Sequence, residues 1–218
     1  MIISEMQRKL ATWAATDPSL RIQRLLYLIT QPEWLAEAAR ITLSSKGAHT
    51  PAVSGVNKTM LQARLAVELQ ILRDELLSGH YQPLPAGQVS IPKSNGKLRP
   101  LGIPALRDRI VQRAMLMAME PIWESDFHTL SCGFRPERSV HHAIRTVKLQ
   151  LTDSGETRGR WVIEGDLSSF SRSGRHRLLM KAVRRRISDA RFMTQVLKGG
   201  GAVRGVIGLF RAASEGVE

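Results

Sequence analysis

Leucines at 61, 65, 69, 72 and 76 recur every three or four positions, the spacing of one helical face, and Gly79 follows where a left-handed cap would close the helix. Upstream, Leu25, Leu28 and Ile29 share a face. Gln31-Pro32 breaks and restarts the pattern, and Trp34, Leu35, Ala38, Ile41 and Thr42 mark the next helix. Asp17-Pro18 reads as a helix start with proline in the first turn. Residues 44–55 (SSKGAHTPAVSG) are small or turn-forming and read as a loop. The period then changes. Residues 88–91 and 98–103 look extended, and Asn95-Gly96 between them suits a two-residue hairpin turn. Helical spacing returns in Ile110, Val111, Ala114, Met115 and Ala118, with Asp108 as the expected cap and Pro121 as the expected stop. It returns again in Val140, Ala143, Ile144, Val147 and Leu151, read as a buried side behind Ser139 as cap. Trp161-Val162-Ile163 is a short apolar strand running into Glu164-Gly165-Asp166, and Leu178, Leu179, Ala182, Val183 and Ile187 define one more helix. No repeat period is present. The class is α+β, with helices dominant.

Composition narrows the setting. Hydrophobic residues make up 43% of 218, enough to build a core. No run of about 18 apolar residues exists for a membrane span, and charge breaks the N-terminal stretch MIISEMQRKL too early for a signal peptide. A single cysteine, Cys132, excludes an intramolecular disulfide framework and a Cys-rich zinc site, and reads as a buried small hydrophobe. A cytoplasmic location is expected. Charge adds more: 32 Lys+Arg against 19 Asp+Glu give +13 and a pI near 11.0. Such an excess points to a polyanionic partner, because neutralising phosphates releases condensed counterions. Residues 172–191 are densest, with eight basic side chains against Asp189 alone.

Two features could carry chemistry. The hairpin segment IPKSNGKLRPLGIP holds Lys93, Lys97 and Arg99, which could grip a triphosphate or a nucleic-acid backbone, or simply solubilise a sheet edge. Asp166 follows an apolar strand, where a carboxylate can hold Mg²⁺ together with a neighbouring carbonyl, or can cap a helix. Pattern alone favours the plainer reading of both. His141 and His142 are adjacent, so on a helix they point about 100° apart and do not chelate one ion.

Taken in order, three segments resemble the fingers and early palm of bacterial group II intron-encoded reverse transcriptase/maturases. They are IPKSNGKLRPLGIPALRDRIVQRAMLMAMEPIWESDF (91–127), SCGFRPERSVHHAI (131–144) and WVIEGDLSSF (161–170). Residues 20–79 resemble that family's N-terminal extension. The resemblance implies an RNA-directed DNA polymerase (a nucleotidyltransferase) with maturase activity. Its fold would be helix-rich fingers and a partial palm of a right-hand polymerase, ending before the catalytic hairpin. Residues 1–85 would be the extension, 86–160 the fingers and 161–218 the palm. By the same resemblance Lys93 and Arg99 would grip the triphosphate of an incoming deoxynucleotide, and Phe170 would lie near its pocket. Asp166 would be catalytic and, with the Leu167 carbonyl, would hold Mg²⁺. Arg135 and Arg138 would face RNA. Partners would be intron RNA, primer/template nucleic acid and deoxynucleoside triphosphates.

The sequence also departs from the family. Ser171-Arg172 follows Phe170 where relatives carry an aromatic and a second aspartate, and no Tyr-Ala-Asp-Asp motif occurs in the 218 residues. The expectation is a truncated copy that does not polymerise alone. The alternative is a non-catalytic basic RNA-binding remnant that assists splicing.

Overall fold

The computed structural model describes residues 2–92, 96, 98–133, 135–152, 165 and 176–198. Helix α6 (Leu106–Glu124) is the axis on which the others pack, burying Ile110, Val111, Ala114, Met115, Ala118, Met119 and Ile122. Helices α1 (Ile3–Thr16) and α3 (Pro32–Ser44) make the most extensive helix contacts with it. Trp34 pins α3 to α6, its indole Nε1–H donating to the Ala114 carbonyl at 3.0 Å. Fully buried Ala38 and Ala39 present little bulk on α3.

Pro121 lies inside α6 and does not end it. Proline has no N–H, so the carbonyl four residues earlier, on Met117, loses its helical donor. Gln7 of α1 replaces that donor, its Nε2 reaching the Met117 oxygen at 3.0 Å. The expected cap at Asp108 is also corrected. The residue before α6 is Ala105, which makes no side-chain cap bond, and Asp108 is buried within the first turn. Its carboxylate accepts from the Tyr81 hydroxyl at 2.8 Å and the Leu84 amide at 2.9 Å, tying the segment after α5 to α6.

Asp17-Pro18 ends a helix and does not begin one. Proline disfavours helical geometry in the residue before it, and Asp17 is extended (φ −132°, ψ 101°) as the C-terminal cap of α1. The next helix, α2 (Leu25–Ile29), starts only after Arg24. The leucine-rich stretch is two helices, α4 (Lys58–Gln62) and α5 (Leu65–Ser78), with Asn57 capping α4 through Oδ1 to the Met60 amide. Gly79 closes α5 with φ 81°, as its position suggested.

Strands β1 (Gly87–Pro92) and β2 (Leu98–Ile103) pair antiparallel from Gly87↔Ile103 to Pro92↔Leu98. Five residues therefore separate the last pair, not the two of a tight turn, and Gly96 carries a positive φ of 76°. Pro92 and Pro100 are tolerated because each strand of a two-stranded sheet has an outer edge without ladder bonds. Lys93, Asn95 and Lys97 lie outside the described residues.

Helix α7 (Val140–Thr152) forms where expected, but its apolar side is not buried: Val140 is 73% exposed, and Ile144, Val147 and Leu151 are exposed too. Amphipathic spacing sets which residues share a face, not what that face meets. The strand read at residues 161–163 falls outside the described residues.

Helices α8 (His176–Arg186) and α9 (Ala190–Lys198) return to the N-terminal helices. Met180, Val183, Ile187, Phe192, Met193 and Val196 share one apolar cluster with residues of α1, α2, α3, α5 and α6. Ile22 and Ile187 form an isolated parallel bridge, with the Ile22 amide donating to the Arg186 carbonyl at 2.8 Å and the Ser188 amide to the Ile22 carbonyl at 3.0 Å. Arg186 is buried beneath it, donating to the carbonyls of Ala14, Asp17 and Pro18 and pairing with Asp126 at 3.1 Å. Among the described residues no helix is long and apolar enough to cross a membrane.

Candidate nucleic-acid interface

The sequence places its candidate residues in two regions, the hairpin with the segment after α6, and the chain around residue 166. Arg99 occupies β2 opposite Ile91, on a hairpin whose Val89, Ile91, Leu98 and Leu101 are exposed. Lys93, Asp166, Leu167 and Phe170 lie outside the described residues, as does the Arg99 side chain.

Arg135 follows the turn after α6, and the protein itself engages its guanidinium. The Nε and Nη2 groups donate to the Glu124 carboxylate, the ion pair closing to 2.6 Å. Nη1 donates to the carbonyls of His128 and Ser131 at 2.8 Å each. The guanidinium carbon lies 5.2 Å from the Phe127 ring centroid, a cation–π distance, and the side chain is only 6% exposed. A planar fork suits this bidentate, stacked site in a way a lysine would not. Arg138, three residues on, is exposed to solvent. Cys132 in the same turn is half-exposed, with Sγ near the Leu130 carbonyl at 3.5 Å, and is not the buried hydrophobe expected. His142 Nδ1 meets the Ser139 amide at 3.1 Å at the start of α7, while His141 is exposed and makes no shared site with it.

The basic run is split by the fold. Arg177, Lys181, Arg184 and Arg185 of α8 are exposed, whereas Arg186 is structural. Near it, burial pushes the Asp126 carboxyl above the usual range, against the pull of Arg186. Sequence reading found the density of this run but not its neighbours: Arg21, Arg24 and Tyr27, exposed and brought alongside by the Ile22–Ile187 bridge. Spacing carries no signal for that juxtaposition. Among the described residues no three His, Cys, Asp or Glu side chains are grouped to hold a metal, and the two implied Mg²⁺ ligands lie outside them.

Residues 91–206 match the family described as reverse transcriptase (RNA-dependent DNA polymerase). The chain is 88% identical over 217 residues to Protein YkfC of Escherichia coli (strain K12), covering 100% of this chain and 57% of that protein. It is 30% identical over 177 residues to the group II intron-encoded protein LtrA of Lactococcus lactis subsp. cremoris, covering 80% and 28%. With nuclear intron maturase 2, mitochondrial, of Arabidopsis thaliana it shares 28% over 144 residues, covering 62% and 19%. The chain thus spans less than two thirds of the length of each of these relatives.

Proposed function

The chain belongs to the reverse transcriptase (RNA-dependent DNA polymerase) family, and from that premise we propose that it acts as the RNA-gripping part of a group II intron reverse transcriptase/maturase. One observation carries the reading: the match over 91–206 takes in the end of β1, all of β2, the Arg135–Arg138 turn and the basic helix α8, in a chain of net charge +13. Residues 1–85 would serve as the N-terminal extension, 86–160 as fingers and 161–218 as palm of a right-hand polymerase working in the cytoplasm. Lys93 and Arg99 would hold the triphosphate of a deoxynucleotide, and Phe170 would border its pocket. Asp166, with the Leu167 carbonyl, would hold Mg²⁺, which when bound neutralises charge on the transferring phosphates. Arg138 would meet intron RNA or primer/template directly. Arg135 would act by holding the turn that presents Arg138, since its own donors face the protein.

Binding to structured intron RNA is expected to weaken with salt, by roughly 0.7–0.9 log units per log salt for each phosphate contacted. Salt-independent affinity, or none at low salt, would sink the proposal. Lys93→Ala or Arg99→Ala should barely change RNA affinity, because their partner is the nucleotide. Two-metal transfer also needs carboxylates beyond Asp166. A polypeptide of residues 1–218 tested alone should therefore bind RNA yet give no primer extension above an Asp166→Ala control. That outcome favours the non-catalytic RNA-binding reading for the isolated polypeptide, and Asp166-dependent extension would overturn it.

A further inference from the structure

Where the chain leaves Pro18 and meets the α8–α9 turn, two open depressions adjoin at Ser188. One, of ≈ 380 Å³, is lined by Arg24, Leu26, Tyr27, Leu77 and Arg191 among others. The second, of ≈ 250 Å³, is lined by Arg21, Arg184, Ile187 and Met193 among others. All four arginines are exposed, and Arg177, Lys181 and Arg185 extend the charge along α8. Among the described residues Asp189 is the one acid lining either depression, and both its oxygens are engaged: Oδ2 accepts the Leu26 amide at 2.9 Å and Oδ1 the Phe192 amide at 3.0 Å. Two of the arginines are held by backbone carbonyls. Arg21 Nε donates to the Arg184 carbonyl at 3.1 Å, and Arg191 Nη2 donates to the Leu77 carbonyl.

Tyr27 is the odd member of this surface. Tyr27 is 58% exposed amid arginines and lies outside the buried apolar cluster. Arg24 stands over it, guanidinium carbon 5.6 Å from the ring centroid, and its backbone is left-handed at φ 59°, an uncommon state for a residue with a Cβ. Arg24 occupies the N-cap position of α2, so this backbone state marks the start of the helix that carries Tyr27. An exposed ring, a stacked guanidinium and a track of cations are the parts of a single-strand platform: bases stack on the ring, and the arginines follow the backbone.

We propose that this groove, with Tyr27 as its stacking platform, binds an unpaired stretch of RNA. The proposal rests on the family-based reading above and assigns it a specific contact surface. A base stacks on Tyr27 beside Arg24, and Arg191, Arg184 and Arg21 take successive phosphates. A duplex keeps its bases within its own stack, so it gains only the phosphate contacts.

The test is fluorescence anisotropy of the full 218-residue chain with a labelled single-stranded RNA of about 12 nucleotides, within the span such sites cover, and with a blunt duplex of equal length. Tyr27→Ala is expected to weaken single-strand binding by about 5- to 150-fold, the range for one lost base stack, and to change duplex binding by less than about twofold. Tyr27→Phe keeps the ring and should bind like the parent. Arg184→Ala and Arg191→Ala should each reduce the single-strand salt slope by about 0.7, while Lys9→Ala, at a side chain that pairs with Glu5 on α1 and lines neither depression, leaves it unchanged. Unaltered single-strand affinity in Tyr27→Ala would overturn the groove while leaving the family-based reading intact. So would an equal loss on both nucleic acids, or an acidic peptide that competes as well as RNA does. A parent chain that binds neither RNA would overturn both readings.

Discussion

Glu120 sits half-buried on α6, where lost hydration pushes its carboxyl above the ordinary range; Arg113 opposes the rise and Glu124 adds to it. A folded-state pKa above the unfolded one means that the favourable contribution is complete below the unfolded pKa and lost as pH rises through the folded one. Glu120→Gln should therefore raise the urea midpoint at pH 7 and leave it unchanged where both forms are neutral, near pH 3. A lower midpoint at pH 7 would mean that Arg113 outweighs burial. Arg135 makes the opposite case, because its charge is fully partnered. Arg135→Ala strands Glu124 and two carbonyls and should cost about 2–3 kcal/mol of unfolding free energy by chemical denaturation, with Arg135→Lys recovering only part. Neither role was legible in sequence. The motif around Arg135 marks the residue without saying that its donors turn inward, and Asp108 reads as a cap because its partners, Tyr81 and Leu84, stand 27 and 24 positions away.

Elements were easier to read, since helical periodicity is local and each expected helix from α2 onward among the described residues has a counterpart. What spacing misses is where backbone bonds are exchanged for side-chain ones. Nothing in the leucine series announces the break at Ala63-Arg64, and an Asn-Gly pair does not reveal the odd-numbered hairpin loop that the register requires. Pro121 is the clearest instance, because the donor that lets α6 pass through it comes from another helix. Gln7→Ala should cost about 1–2 kcal/mol by leaving the Met117 carbonyl unpaired. In a Pro121→Ala background the cost should shrink, because the restored N–H at that position serves the same oxygen. A double-mutant cycle on unfolding free energies checks this, and additivity would refute the substitution of Gln7 for the missing amide.

For the molecule as a whole, the order of three motifs revealed the family, and net charge supports the polyanionic partner proposed above. No local pattern told that residues 20–27 and 184–191 lie together, because that contact is made by an isolated bridge and one buried arginine. Arg186→Ala should accordingly be severe, about 3–5 kcal/mol, since it leaves Asp126 and three carbonyls without their partner, and chemical denaturation would measure it. The Ile22–Ile187 bridge also bears on the order of events in folding. Helical proteins fold fast when their contacts are close in sequence, but bonds across this clasp join residues 163 to 172 positions apart, and so distant a closure is entropically slow. During synthesis from the N-terminus, α2 can pack on α3, α5 and α6 early, but the side of it that meets α9 must wait until that helix has been added. In refolding, helical ellipticity should therefore rise well before the amides of Ile22 and Ser188 become protected from hydrogen exchange, and that interval is when the young chain most needs a chaperone.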